Sequence, residues 1–112
     1  MKPKKLHTYK SRVQWTGNQG EGTSHYAAYS RNHRISIENK ITIEGSSDPA
    51  FRGDNAKHNP EDLFLSSISA CHMLWYLHLC AQAGVVVLDY MDTAEGKMLE
   101  SENGKGQFIE VQ

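Results

Sequence analysis

The chain has few cysteines, no marked excess of charge of either sign, and nothing that reads as an export signal. It has two cysteines in 112 residues. Lys2, Lys4 and Lys5 are not followed by an apolar h-region, so this basic start does not read as a signal peptide. Few cysteines and no export signal are what a reducing cytoplasm leads one to expect, where thiols are reactive or buried rather than bridged. A net charge of −1 gives no reason to expect nucleic acid or an anionic membrane surface as partner. There is no internal repeat and no low-complexity tract. No CxxC is present, and Cys71, His72, His78 and Cys80 include no pair four residues apart. That spacing would put two ligands on one helix face, so neither a metal nor another cofactor is expected.

What the chain does have is concentrated in one stretch. Hydrophobic residues make up 38% of the sequence, and many fall after Asn59. Asn59 suits a helix N-cap, Pro60 the first helical position, and Glu61 and Asp62 the positive end of the helix dipole. From Leu63 the run continues to Ala83, and Gly84 supplies the stop. This predicts a helix of ~24 residues, long enough to span a bilayer. Its Glu61, Asp62, His72, His78, Gln82 and three serines argue instead for a soluble core helix. Leu63–Phe64–Leu65 and Met73–Leu74–Trp75 place apolar side chains around most of the circumference, so burial is expected. Cys71 lies at its middle.

The flanks read as strands. Tyr9, Ser11, Val13 and Trp15 alternate with more polar residues, and Gly17 to Gly22 is a turn. Thr23 to Ser30 reads as a weaker strand, and Arg34 to Glu44 as a third, with Ile35, Ile37, Ile41 and Ile43 on one parity. Gly45 to His58 is a loop long enough to suspect function. Val85 to Tyr90, Met91 to Leu99 and Gln107 to Val111 read as strands, with a turn at Asn103 to Gly106. The fold class expected is α+β, a mainly antiparallel sheet around one long buried central helix. One sheet covers one face of such a helix, and a large uncovered apolar face marks an interface, so a two-fold dimer is expected.

The run NPEDLFLSSISACH (Asn59 to His72), the preceding FRGD (Phe51 to Asp54) and the order of elements resemble the superfamily of osmotically inducible protein C and organic hydroperoxide resistance protein (OsmC/Ohr), in its OsmC-like branch. The resemblance spans roughly residues 9 to 112. It implies an intertwined homodimer and a cytoplasmic thiol peroxidase that reduces organic hydroperoxides in oxidative or osmotic stress defence. Cys71 would be the peroxidatic cysteine, Glu61 its acidic partner and Arg52 the arginine, with Arg31 and Arg34 as substitutes. In this family a second cysteine follows a further helix, which lies beyond Gln112. The expectation is therefore a single domain over 1–112, incomplete at its C-terminus, with an external thiol as reductant. The alternative expectation is a redox-inactive dimeric module of the same fold that binds an apolar small molecule.

The chemistry accounts for these residue types. A thiol attacks peroxide as thiolate, and an ordinary cysteine is mostly protonated at neutral pH. Cys71 is too far from its helix N-terminus to gain from the dipole, so a cation must come from outside the helix. A guanidinium could hold the Glu61 carboxylate and stabilise the departing alkoxide. The helical neighbours of Cys71 are Ser67, Ile68, Leu74 and Trp75, three of them apolar, which favours an organic hydroperoxide. Glu61 lies ~15 Å from Cys71 along the helix, so a partner subunit would have to supply it. Cys80 points opposite to Cys71, about 900° around and ~13.5 Å along the helix. It cannot form the disulfide, which needs Cα atoms within about 7 Å.

Overall fold

The computed structural model describes residues 4–100 and 106–112. The chain divides into two compact units, Met1–Pro60 and Glu61–Gln112, and its strands form two separate antiparallel sheets.

The first unit carries β1 (Arg12–Trp15), β2 (His33–Ser36) and β3 (Ile43–Gly45), paired in that order. Val13 sits opposite Ile35, and Ile35 opposite Ile43. The stretch from Arg34 to Glu44, expected as one strand, is a hairpin. Its isoleucines are symmetric about Asn39, so their shared parity fits one long strand or two paired ones equally well. Asn39 decides it, with a left-handed φ of 66° that asparagine adopts more readily than most residues. Thr23 to Ser30 is not a strand: it contains a short 3-10 turn, Tyr26–Ala28, and is held to the sheet by an isolated bridge from Tyr29 to Asn18 and by Trp15 Nε1 of β1 donating to the Ser30 carbonyl at 2.8 Å.

The second unit carries α1 (Pro60–Gln82), β4 (Gly96–Glu100) and β5 (Gly106–Val111). The helix ends close to where its local signals place it. Gly84 follows with φ 76°, a conformation that costs glycine little, and the Val85 N–H closes back on the Cys80 carbonyl at 2.8 Å. β4 and β5 form a hairpin ladder with an irregularity between Lys97 and Met98. Val85 to Tyr90 forms no strand, and the strand expected from Met91 begins only at Gly96. β-branched residues favour a strand only where a neighbouring edge is there to pair with. Most of the turn expected at Asn103 to Gly106 lies outside the described residues.

The expected burial of the helix is corrected by the structure. No residue of α1 is buried, and among the described residues no apolar side chain is. The single expected sheet is corrected too. Five short strands split into a group of three and a group of two, and a two-stranded hairpin is too narrow to enclose a 23-residue helix. Within its unit α1 is touched on one side, through Phe64 on Phe108 (ring centroids 5.0 Å apart), Tyr76 on Tyr90 (5.7 Å) and Ser69 Oγ donating to Asp92 at 2.6 Å. By length and a mean hydropathy of 1.3 the helix could also cross a membrane.

Candidate active site

An α-helix repeats its faces every three to four residues, and α1 uses this to separate its two cysteines. Its half-buried residues are Glu61, Leu63, Leu65, Ser69, Met73, Leu77 and Cys80, most of them in one stripe. An exposed stripe runs Ile68, Cys71, Leu74, Trp75 and His78. Both thiols are free.

On the exposed stripe, Leu74 and Trp75 are each 61% exposed and Ile68 is 40% exposed. Ser67 lies beside them, but its hydroxyl donates to the Phe64 carbonyl at 2.7 Å. Leu74, Trp75 and His78 line a shallow depression of about 270 Å³. The His78 ring meets Trp75 edge-on at 5.7 Å. His78 thus lies beside two of the side chains expected to hold substrate, a place that the sequence analysis did not give it. The signal was present: His78 is three residues beyond Trp75 and seven beyond Cys71, on one face.

On the other face Cys80 lies against Tyr76. The hydrogen bond and charge interaction with the Cys80 sulfur hold the Tyr76 phenol above its usual pKa of 10.0. A second depression, about 340 Å³, includes Ser66, Ser69, Met73, Tyr90 and Asp92 and does not include Cys71.

Glu61 begins the helix, in the first turn with Asp62. Its Oε2 is buried and has no hydrogen-bond partner among the described residues. A carboxylate oxygen has only acceptor capacity, so a donor is what this atom fits. It is not Cys71 that Glu61 meets: α1 is continuous from Pro60 to Gln82 and holds the two ~15 Å apart along its axis.

Arg52 belongs to the first unit, in the loop between β3 and α1. A 3-10 turn, Pro49–Phe51, leads into it, and Arg52 takes a left-handed backbone with φ 62° and ψ 29°. Its side chain is exposed. The two substitute arginines are engaged locally. Arg31 stacks on the Tyr29 ring at 3.8 Å while its Nη1 donates to the Tyr26 and Tyr29 carbonyls. Arg34 Nε pairs with Glu44 across the β2–β3 ladder at 3.0 Å. Among the described residues no group of three His, Cys, Asp or Glu side chains converges as metal ligands do.

No family model and no curated protein sequence matches the chain. Its structure is similar to that of an OsmC-like protein of unknown function from Vibrio cholerae, with a TM-score of 0.81 and 26% sequence identity. The match covers 95% of this chain and 71% of that one.

Proposed function

Taking the chain as a member of the OsmC-like superfamily, whose fold it shares, we propose that it is a cysteine-dependent peroxidase for organic hydroperoxides. It works in the cytoplasm as a homodimer in oxidative or osmotic stress defence. The observation that carries the reading is Cys71: a free, exposed thiol on a stripe of exposed apolar side chains that would hold the organic part of a hydroperoxide.

The Cys71 thiolate attacks the terminal oxygen of the hydroperoxide. The S–O bond forms as the O–O bond breaks, the alkoxide takes up a proton, and an alcohol leaves. The sulfur loses two electrons and becomes a sulfenic acid. Arg52 favours the thiolate and stabilises the alkoxide, and Glu61 holds the guanidinium. An external thiol then condenses with the sulfenic acid, releasing water and leaving a mixed disulfide. A second external thiol reduces that disulfide and restores Cys71.

The dimer is part of the proposal, and burial supports it. A soluble chain with no buried apolar side chain among its described residues lacks the core that stabilises a domain. A second copy laid against α1 would supply the cover and bring Glu61 of one chain towards Cys71 of the other.

Intact mass before and after an equimolar amount of cumene hydroperoxide tests the chemistry. The expected product carries extra oxygen on Cys71 by peptide mapping. An unchanged mass removes the peroxidase reading. The depression beside His78 supports the second reading, a redox-inactive module for an apolar ligand. It predicts quenching of Trp75 fluorescence by such a ligand with no oxidation of Cys71.

A further inference from the structure

Among the described residues the side chain most completely removed from solvent is that of a serine, and no apolar side chain is buried. Ser46 has no exposed surface. A buried hydroxyl is costly unless it is bonded, and this one is: Ser46 Oγ accepts the Asp54 N–H at 3.0 Å. The Ser46 N–H in turn donates to the His58 carbonyl at 2.9 Å. Ser46 therefore ties the loop from β3 to α1 at two points, one of them two residues after Arg52.

Between those ties the backbone is fixed at nearly every step. Asp48 Oδ1 accepts the Ala50 N–H at 2.8 Å, and Ser47 Oγ donates to the Phe51 carbonyl at 3.0 Å. The Arg52 N–H donates to the Pro49 carbonyl at 3.1 Å, and the Gly53 N–H to the Asp48 carbonyl at 3.1 Å. Gly53 is packed so closely that a Cβ there would fall on the Ser47 carbonyl. The residue held in this frame adopts a left-handed φ of 62°. Among the described non-glycine residues the other left-handed φ belongs to Asn39, a residue type that tolerates it in a hairpin turn. Arginine has no such tolerance, and glycine would occupy the position without strain. Backbone strain persists where its surroundings over-determine it, and it clusters at functional sites. What arginine adds over glycine is its guanidinium.

We propose that Ser46 is the positioning residue of the arginine loop: its buried hydroxyl locks the backbone that presents the Arg52 guanidinium. The proposal rests on the reading of Arg52 as the cation that serves Cys71. It makes Ser46 act through Arg52, without itself touching thiol or peroxide.

The test is the rate of Cys71 oxidation by cumene hydroperoxide across pH in four proteins: wild type, Ser46→Ala, Arg52→Ala and the double variant. Ser46→Ala should slow the reaction about tenfold or more, the scale of a misplaced catalytic group, and move its pH profile upwards. In the Arg52→Ala background it should add nothing, because its effect passes through the missing side chain. Exchange of the Asp54 amide should also quicken in Ser46→Ala. Additive slowing, or an unmoved pH profile, would make Ser46 merely structural and overturn the proposal. If Arg52→Ala leaves Cys71 oxidation unchanged, the arginine assignment fails first, and the role of Ser46 falls with it. Should Ser46→Ala not fold, Asp48→Ala removes the exposed bond at the other end of the turn and is read by the same criteria.

Discussion

The two thiols of α1 differ in surroundings more than in sequence context. Cys71 faces outward among Ile68, Leu74 and Trp75, and Cys80 turns towards Tyr76 within its own unit. A helix whose apolar residues were spread by chance would expose both faces equally. Here most of the half-buried residues, Glu61, Leu65, Ser69, Met73 and Leu77, follow a spacing of four, the face that a single chain covers for itself. The Cys71 face is equally apolar and has no such cover. One face is finished by intramolecular packing. On the proposed reading, the other is finished by a second copy and by substrate.

The largest effect should separate the thiols outright. Cys71→Ser should abolish consumption of cumene hydroperoxide, and Cys80→Ser should leave it close to wild type, followed by loss of peroxide in a coupled assay. Oxidation of Cys80 ahead of Cys71 in peptide maps would erase the distinction between the two faces.

Next in size is stability. Leu74 is 61% exposed in the single chain, and truncating so exposed a residue on a monomer usually changes stability by less than about 0.5 kcal/mol. If the Cys71 face is buried between two copies, Leu74→Ala should instead cost about 2–5 kcal/mol, the range for a core leucine. The unfolding midpoint should also rise with protein concentration. Chemical denaturation at two concentrations, with sedimentation of the native protein, decides it. A compact monomer indifferent to Leu74→Ala would defeat the dimer and the shared site together.

A smaller contrast lies between arginines. Arg52→Ala should slow Cys71 oxidation, and Arg31→Ala should do much less, because Arg31 is already stacked on Tyr29 and bonded to two carbonyls. Equal rates for the two variants would show that the loop does not carry the cation.

How much of this was legible in the sequence depends on how local the cause is. The bounds of α1 could be read nearly to the residue, because proline, first-turn acids and a terminal glycine act within a turn of where they stand. The β2–β3 hairpin was hidden because the isoleucine pattern is symmetric about Asn39. Val85 to Tyr90 misled because strand formation needs a pairing edge that the residues do not announce. Burial of α1 could not be read at all: an apolar circumference says that cover is needed, not that the same chain supplies it. For the site, the Cys71 face followed from helix periodicity. The occupation of Arg31 and Arg34 depended on tertiary neighbours and did not. The Ser46 tie also escaped notice, since nothing marks a serine as buried until its loop has closed.

The smallest effect lies on the covered face and concerns alkaline pH. The Tyr76 phenol is held above its ordinary pKa of 10.0 first by its hydrogen bond to the Cys80 sulfur and then by charge on that sulfur. A group whose folded pKa is raised adds stability that is fully present below its unfolded pKa and is lost as pH rises through the folded value. The window therefore opens near pH 10.0, at the ordinary value, and extends upwards. Tyr76 is 45% exposed, so water screens the interaction and the change in stability is small. The titration itself is the sharper readout. Difference absorbance of the phenolate should show one tyrosine ionising later than the others, and Cys80→Ala should bring it back to the ordinary range while Cys71→Ser leaves it in place. If Cys71→Ser shifts that tyrosine as much as Cys80→Ala does, the helix does not keep its two thiols on separate faces.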